Sequence, residues 1–389
     1  MATSKRVDIL SESITMAITS LARDLKREGK DVLGFSAGEP DFDTPQIIKD
    51  EAIKALNEGF TKYTAVAGIP ELKDAIVHKL KRDNNLTYSP DQIIISNGAK
   101  HSLFNIFQAV LESSDEVIIP APYWVTYPEL VKYSDGVPVY IETDEKTDFK
   151  ISAEQLKSAI TEKTKMLILT TPSNPTGSIY TKSELEEIAE VLKDTEILVI
   201  ADEMYEKLSY DGDFTAVASI SSDMFERTVT INGLSKSVAM TGWRVGYLAT
   251  PKKDLISAMA KLQGQSTSNI NSIAQKASVV ALSDEVEPEI EKMRIAFVER
   301  RDFAVEKINA IEGLSVYKPA GAFYLFVNIS EVEKDSMKFS KELLETEGVA
   351  LVPGIGFGLD GYVRMSFATD LDTIAEGIKR IEKFVKNKK

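Results

Sequence analysis

Cysteine is absent from the 389 residues, which excludes disulfides, thiol catalysis and cysteine-held zinc and leaves the compartment open. Histidine occurs only at positions 78 and 101. Neither His78 nor His101 stands in an HExxH arrangement or beside a serine elbow; both fall in helical patterns and read as surface or packed side chains, and no metal site is expected. Positive charge is short as well: 46 Lys and Arg face 60 Asp and Glu, a formal charge of −14, whereas duplex DNA binding needs clustered cations to release counterions. No apolar run approaches the roughly 18 residues of a membrane span. The opening MATSKRVDILSESITMAITS has no continuous apolar core of a signal sequence. A soluble, cytoplasmic protein that binds neither nucleic acid nor membrane is expected. A GxGxxG fingerprint is also missing: Gly354-Ile355-Gly356-Phe357-Gly358 departs from it and reads as a loop, so a nicotinamide dehydrogenase is not expected.

What is present is a chain long enough for two or three domains, with 43% hydrophobic residues to fill cores. Short apolar runs at Ile93–Ile95, Glu116–Ile119, Val137–Ile141, Lys165–Leu169, Ile197–Ile200 and Thr228–Ile231 alternate with helical patterns such as Lys100–Leu111 and Lys182–Leu192. Fully apolar strands separated by helices indicate an α/β fold with a mostly parallel central sheet covered on both faces. This pattern predicts a large domain over 44–285. After Ser283 a long polar helix through Glu291 to Ile311 is expected. Short strands near Val316, Ala322–Val327, Val349–Val352 and Tyr362–Phe367 follow, then a last helix with Ile374, Ile378, Ile381 and Val385 in register. Residues 1–43 and 286–389 are expected to form a smaller α+β domain.

Within the segment NGLSKSVAMTGWRVGY, Lys236 lies among small residues after a predicted strand, and Arg244 follows eight positions later. A lysine there is either an exposed loop residue or an amine held in a pocket to form an imine. A pyridoxal-type enzyme needs further partners, and each has a candidate. Asp202 follows the strand Ile197–Ile200, where α/β sheets place ligands; it reads as a partner for a pyridine nitrogen or as a helix N-cap. Tyr205 lies three residues on. Asn174, in SNPTG, is an amide donor or merely part of a turn. Gly98, Ala99 and Lys100 sit at a strand-to-helix junction that attracts anions, and Arg244 adds a guanidinium for phosphate or for a surface acid. Trp124 offers a stacking face or a core aromatic.

Taken together, TKYTAVAGIPELK, NGAKHSLFN, PYWVTYPE, PSNPTGSIY, ADEMYEKL, SKSVAMTGWRVGY and VRMSFATD, with SAGEPDFDTP near the start, resemble in order and spacing the class I, fold-type I pyridoxal-phosphate aminotransferases. The resemblance spans nearly the whole chain and is nearest to the bacterial aspartate aminotransferase branch, which also includes aspartate/prephenate enzymes.

That resemblance implies pyridoxal 5'-phosphate as cofactor, with Lys236 as the Schiff-base lysine and Asp202 at the pyridine nitrogen. It places Asn174 and Tyr205 on the ring oxygen, Trp124 stacked on the ring, and Arg244 with the Gly98–Lys100 amides on the phosphate. Tyr63 would reach the same phosphate from the second subunit of a homodimer. Gly38 and Arg364 would receive the substrate α-carboxylate, with Trp124 and Asn174 also lining the substrate. Lys100, helped by Ser13 and Thr15, would meet a distal carboxylate. Amino acids and 2-oxo acids are the implied partners, aspartate or glutamate with 2-oxoglutarate foremost. Prephenate and glutamine- or kynurenine-type substrates, a β-elimination lyase, and the effector-sensing domain of a transcription regulator share many of these residues. Only about 43 residues precede the large domain, which leaves little room for a regulator's DNA-binding module. The chain departs from many relatives at Gly233, where they carry serine.

Overall fold

A computed structural model describes residues 3–12 and 14–388. Seven strands form the main sheet, in the order Ile93–Ser96, Gly246–Ala249, Thr228–Gly233, Leu198–Asp202, Thr164–Thr170, Glu116–Ala121 and Val137–Glu142. Gly246–Ala249 runs opposite to the other six, so its two pairings are antiparallel; the other pairings are parallel. The six apolar runs expected as strands are all present. Gly246–Ala249 is an addition to them, because Gly-Tyr-Leu-Ala offers no β-branched residue and opens on glycine. That glycine is required by packing: a Cβ on Gly246 would lie 2.3 Å from the Ala99 nitrogen.

The period-2 alternation of strands explains why these runs are apolar throughout. Met166, Ile168 and Ile200 join one core, whereas Leu167, Leu169 and Val199 join another on the opposite face. At the far edge Ile94 enters the first core and Ile93 and Ile95 a third. Each fully buried Leu or Ile contributes roughly 1.5–3 kcal/mol relative to an exposed one. The covering helices start at readable signals. Lys182–Leu192 begins with a reciprocal cap in which the Thr181 hydroxyl accepts from the Glu184 N–H, while the Glu184 carboxylate accepts from the Thr181 N–H at 2.7 Å.

A second, antiparallel sheet has the order Val352–Pro353, Tyr362–Ser366, Tyr324–Asn328, Ser315–Val316. Near the N-terminus Leu33–Gly34 pairs in parallel with Val349–Ala350, so the chain's two ends meet. The long helix is Glu287–Asn309; Ile311, expected within it, lies just beyond its end and is buried all the same. The run from Gly354 forms a single 3-10 turn capped by left-handed Gly358. Among the described residues no helix is long and apolar enough to cross a membrane.

Candidate active site

Five parallel strands deliver their C-terminal ends to one edge of the main sheet, and the candidate residues sit there because each follows such an end. Gly98–Lys100 follow Ile93–Ser96, Trp124 follows Glu116–Ala121, and Asn174 follows Thr164–Thr170. Asp202 closes Leu198–Asp202, and Lys236 lies in the single turn Leu234–Ser237 after Thr228–Gly233. Tyr324 and Arg364 from the second sheet, with Ser36 to Glu39, complete a cleft of about 410 Å³. Four cations line it, Lys100, Lys236, Arg244 and Arg364, against two carboxylates, Glu39 and Asp202. In a chain of charge −14 this local excess of positive charge suits an anionic ligand.

One end of the cleft is built for an anion. The helix Ala99–Val110 has Gly98 as N-cap with no side chain covering its end. Among the described residues the Ala99 and Lys100 N–H groups donate to no acceptor. Free N–H groups at a helix start attract phosphate. Arg244, held in the left-handed region with φ of 57°, donates from Nη1 to the Thr241 carbonyl at 2.9 Å and lies against Gly98. A Cβ on Gly98 would come within 2.1 Å of Arg244 Nη2. His101 supports this turn, its Nδ1 accepting from the Asn97 N–H at 3.1 Å. Lys100 Nζ stands 4.9 Å from the Trp124 ring centroid; desolvation in the cleft, then the Arg244 charge, hold its pKa below the ordinary lysine value.

At the centre the Lys236 amine donates to the Gly38 carbonyl. Burial drives its pKa down to about 8; Arg364 and Arg244 push the same way, and Glu39 and Asp202 oppose. Asp202, 4% exposed, accepts from the Tyr127 hydroxyl at 2.7 Å and from the Met204 N–H at 3.3 Å. Burial raises its pKa, while those two donors and the Lys236 charge restrain the rise.

Opposite them Arg364 is 2% exposed. Its Nη1 donates to Asn174 Oδ1 and its Nη2 to the Ser36 carbonyl, both at 2.9 Å, and Nε has no partner. Among the described residues no carboxylate pairs with it, and burial lowers its pKa. Because Asn174 Oδ1 is taken, its Nδ2 is left as a donor. The Tyr205 and Tyr324 hydroxyls share a hydrogen bond of 2.9 Å.

The structure thus brings together Gly38, Ala99, Lys100, Trp124, Asn174, Asp202, Tyr205, Lys236, Arg244 and Arg364, with Gly98 behind Arg244. Tyr63 is not among them; it is 91% exposed. Ser13 and the Thr15 side chain lie outside the described residues. Sequence reasoning passes over Tyr127 and Tyr324. The signal for Tyr127 is its place one turn after Trp124 in PYWVTYPE; for Tyr324 it is a strand position diagonal to Arg364.

The sequence pattern described as Aminotransferase class I and II matches residues 30–381. The chain is similar to the aspartate aminotransferase of Bacillus subtilis, 51% identical over 391 residues and 99% of each chain. It is similar also to the aspartate/prephenate aminotransferase of Nitrosomonas europaea, 46% identical over 98% of this chain and 99% of that one. The solved structure of Thermus thermophilus aspartate aminotransferase with maleate superposes with a TM-score of 0.95 at 40% identity, covering 98% of this chain and 99% of that one. With a cleft of this composition at the strand ends and a match over nine-tenths of its length, the chain belongs to the class I and II aminotransferase family.

Proposed function

We propose that this protein moves an amino group between aspartate or glutamate and 2-oxo acids such as 2-oxoglutarate, with pyridoxal 5'-phosphate as cofactor, and that it works in the cytoplasm as a homodimer with Tyr63 completing the partner's site. The large domain over 44–285 and the small domain of both ends belong to the same proposal. The observation behind it is the buried Arg364 guanidinium, paired among the described residues to no carboxylate and facing a lysine whose pKa is near 8. A buried cation without a counter-ion is costly, and a substrate carboxylate removes that cost.

The residues present fit the cofactor. The free Ala99 and Lys100 N–H groups and Arg244 suit its phosphate, Asp202 its ring nitrogen, Asn174 Nδ2 and Tyr205 its ring oxygen, and Trp124 its face. When bound, the group supplies a carbonyl for amines and an aromatic ring that takes up the electron pair left at the substrate α-carbon.

This chain's own residues do the rest. Arg364 holds the α-carboxylate in a bidentate grip and so aims the α-hydrogen toward Lys236. Lys236, with a pKa of about 8, has roughly a tenth of its amine neutral at pH 7 and takes the α-proton as general base. Asp202, fixed by Tyr127, keeps negative charge deep in the cleft. Lys100 meets the distal carboxylate of a dicarboxylic substrate.

A panel of amino donors and oxo acids, including prephenate, run on wild type and on Lys100→Met tests the proposal. Aspartate with 2-oxoglutarate leads in wild type. A charge-assisted pair of about 1.5–3 kcal/mol makes the variant lose aspartate by roughly ten- to a hundredfold while neutral donors hold. A lead by alanine or phenylalanine, or an equal fall for all donors, contradicts the reading. Prephenate leading instead of 2-oxoglutarate moves the protein to the function of its Nitrosomonas relative.

A further inference from the structure

Tyr324 opens the strand Tyr324–Asn328 of the second sheet, beside the strand that bears Arg364. The register sets Phe326 opposite Arg364 and Tyr324 opposite Ser366, so Tyr324 and Arg364 are diagonal neighbours on one face. The Arg364 guanidinium carbon stands 4.3 Å from the Tyr324 ring centroid. At its other end the Tyr324 hydroxyl bonds the Tyr205 hydroxyl at 2.9 Å. Tyr324 is 1% exposed, and Gly38 leaves room for its hydroxyl: a Cβ there would lie 3.0 Å from it. One side chain therefore touches both the candidate carboxylate site and the candidate ring-oxygen donor.

Two phenols that share one hydrogen bond leave one hydroxyl hydrogen free. If Tyr205 donates to Tyr324, Tyr205 has nothing to offer the cleft. If Tyr324 donates to Tyr205, the Tyr205 hydrogen is released for another acceptor and is strengthened by the bond it accepts. An anionic ring oxygen in the cleft selects the second arrangement. On the basis of the proposed function, we propose that Tyr324 is a positioning residue: its hydroxyl donates to Tyr205 and so presents the Tyr205 hydrogen to the cofactor ring oxygen, while its ring holds the Arg364 guanidinium for the substrate carboxylate. The charged groups around this pair are Arg364, Glu39, Asp202 and Lys236.

The test is a pH titration of the visible absorbance of the cofactor-loaded protein, in wild type, Tyr324→Phe, Tyr205→Phe and the double variant. A donor to the ring oxygen favours loss of the neighbouring proton from the lysine-bound cofactor, so weakening that donor raises the observed pKa. Tyr324→Phe shifts it upward by roughly half a unit to one unit, the size of one ordinary hydrogen bond. In the Tyr205→Phe background the same change adds no shift, because Tyr324 acts through Tyr205. Maleate binding, read from the same band, stays within about twofold in Tyr324→Phe, which keeps the ring, and weakens about fivefold or more in Tyr324→Leu, which loses the stacking. An unshifted Tyr324→Phe, or equal shifts in both backgrounds, overturns the inference and leaves the proposed function standing. A wild-type protein with no titrating cofactor band overturns both.

Discussion

The Tyr127 hydroxyl donates to Asp202 Oδ2 at 2.7 Å, in a place where Tyr127 is 1% and Asp202 4% exposed. Apart from this bond the carboxylate has the Met204 N–H at 3.3 Å. A hydrogen bond to a buried charge is worth about 1.5–3 kcal/mol, so Tyr127→Phe raises the Asp202 pKa further and slows turnover about tenfold. Asp202→Ala removes the charge and costs orders of magnitude, while the cofactor still attaches to Lys236 and is fixed there by borohydride. Single-turnover rates on the two variants check the order. A near-normal rate in Asp202→Ala refutes the role of the carboxylate.

Lys236 has a pH signature in stability, measured on cofactor-free protein. Its folded pKa of about 8 lies below the ordinary lysine value of 10.5, so between those values the unfolded chain binds more protons and stability rises with pH. The cost of the desolvated cation is fully present below pH 8 and is relieved by about pH 10.5, an interval worth about 3 kcal/mol. Lys236→Met, without that cation, is more stable than wild type at pH 7 by about 1–3 kcal/mol, and the gap narrows toward pH 10. Urea unfolding at both pH values measures it. A gap that is absent at pH 7, or that widens with pH, contradicts the burial of the amine.

Much of this site was legible because its residues follow strand ends. Asp202, Asn174 and Lys236 each come within five residues of the end of an apolar run, and the sheet topology gathers such positions at one edge whatever the details of packing. Tyr127 and Tyr324 were not legible, because an aromatic residue on a helix or a strand looks the same whether it fills a core or turns its hydroxyl into a cleft. The strand Gly246–Ala249 was hidden for a related reason: a neighbouring backbone at Gly98 and Ala99 dictates its glycine, and that contact is distant in sequence.

Tyr63 is 91% exposed in the single chain. In the proposed homodimer it contacts the phosphate of the partner's site. A Tyr63→Ala preparation and a Lys236→Ala preparation are each weakly active or inactive alone. Mixed and allowed to exchange subunits, they recover up to about a quarter of wild-type activity, since one of the two sites in each mixed dimer has both residues. A fully active monomer in sedimentation, or no recovery after proven exchange, rules out the shared site.

The phosphate cradle is tested at Gly98. Its φ of 84° is a conformation that side chains rarely adopt, and an added Cβ would come within 2.1 Å of Arg244 Nη2 and 2.8 Å of Cζ. The guanidinium is the movable partner, so Gly98→Ala keeps the fold and displaces Arg244. The positive φ costs about 1–3 kcal/mol of stability. Losing a charge-assisted grip worth about 1.5–3 kcal/mol weakens cofactor binding by roughly ten- to a hundredfold. Gly212→Ala separates the two effects: its φ is 101°, yet nothing lies within 4 Å of the added carbon, so it carries the backbone strain alone and binds cofactor as wild type does. Fluorescence titration with pyridoxal phosphate, alongside thermal unfolding of both variants, measures each part. Unchanged affinity in Gly98→Ala, or equal losses in the two variants, removes Arg244 and the Gly98 turn from the phosphate site.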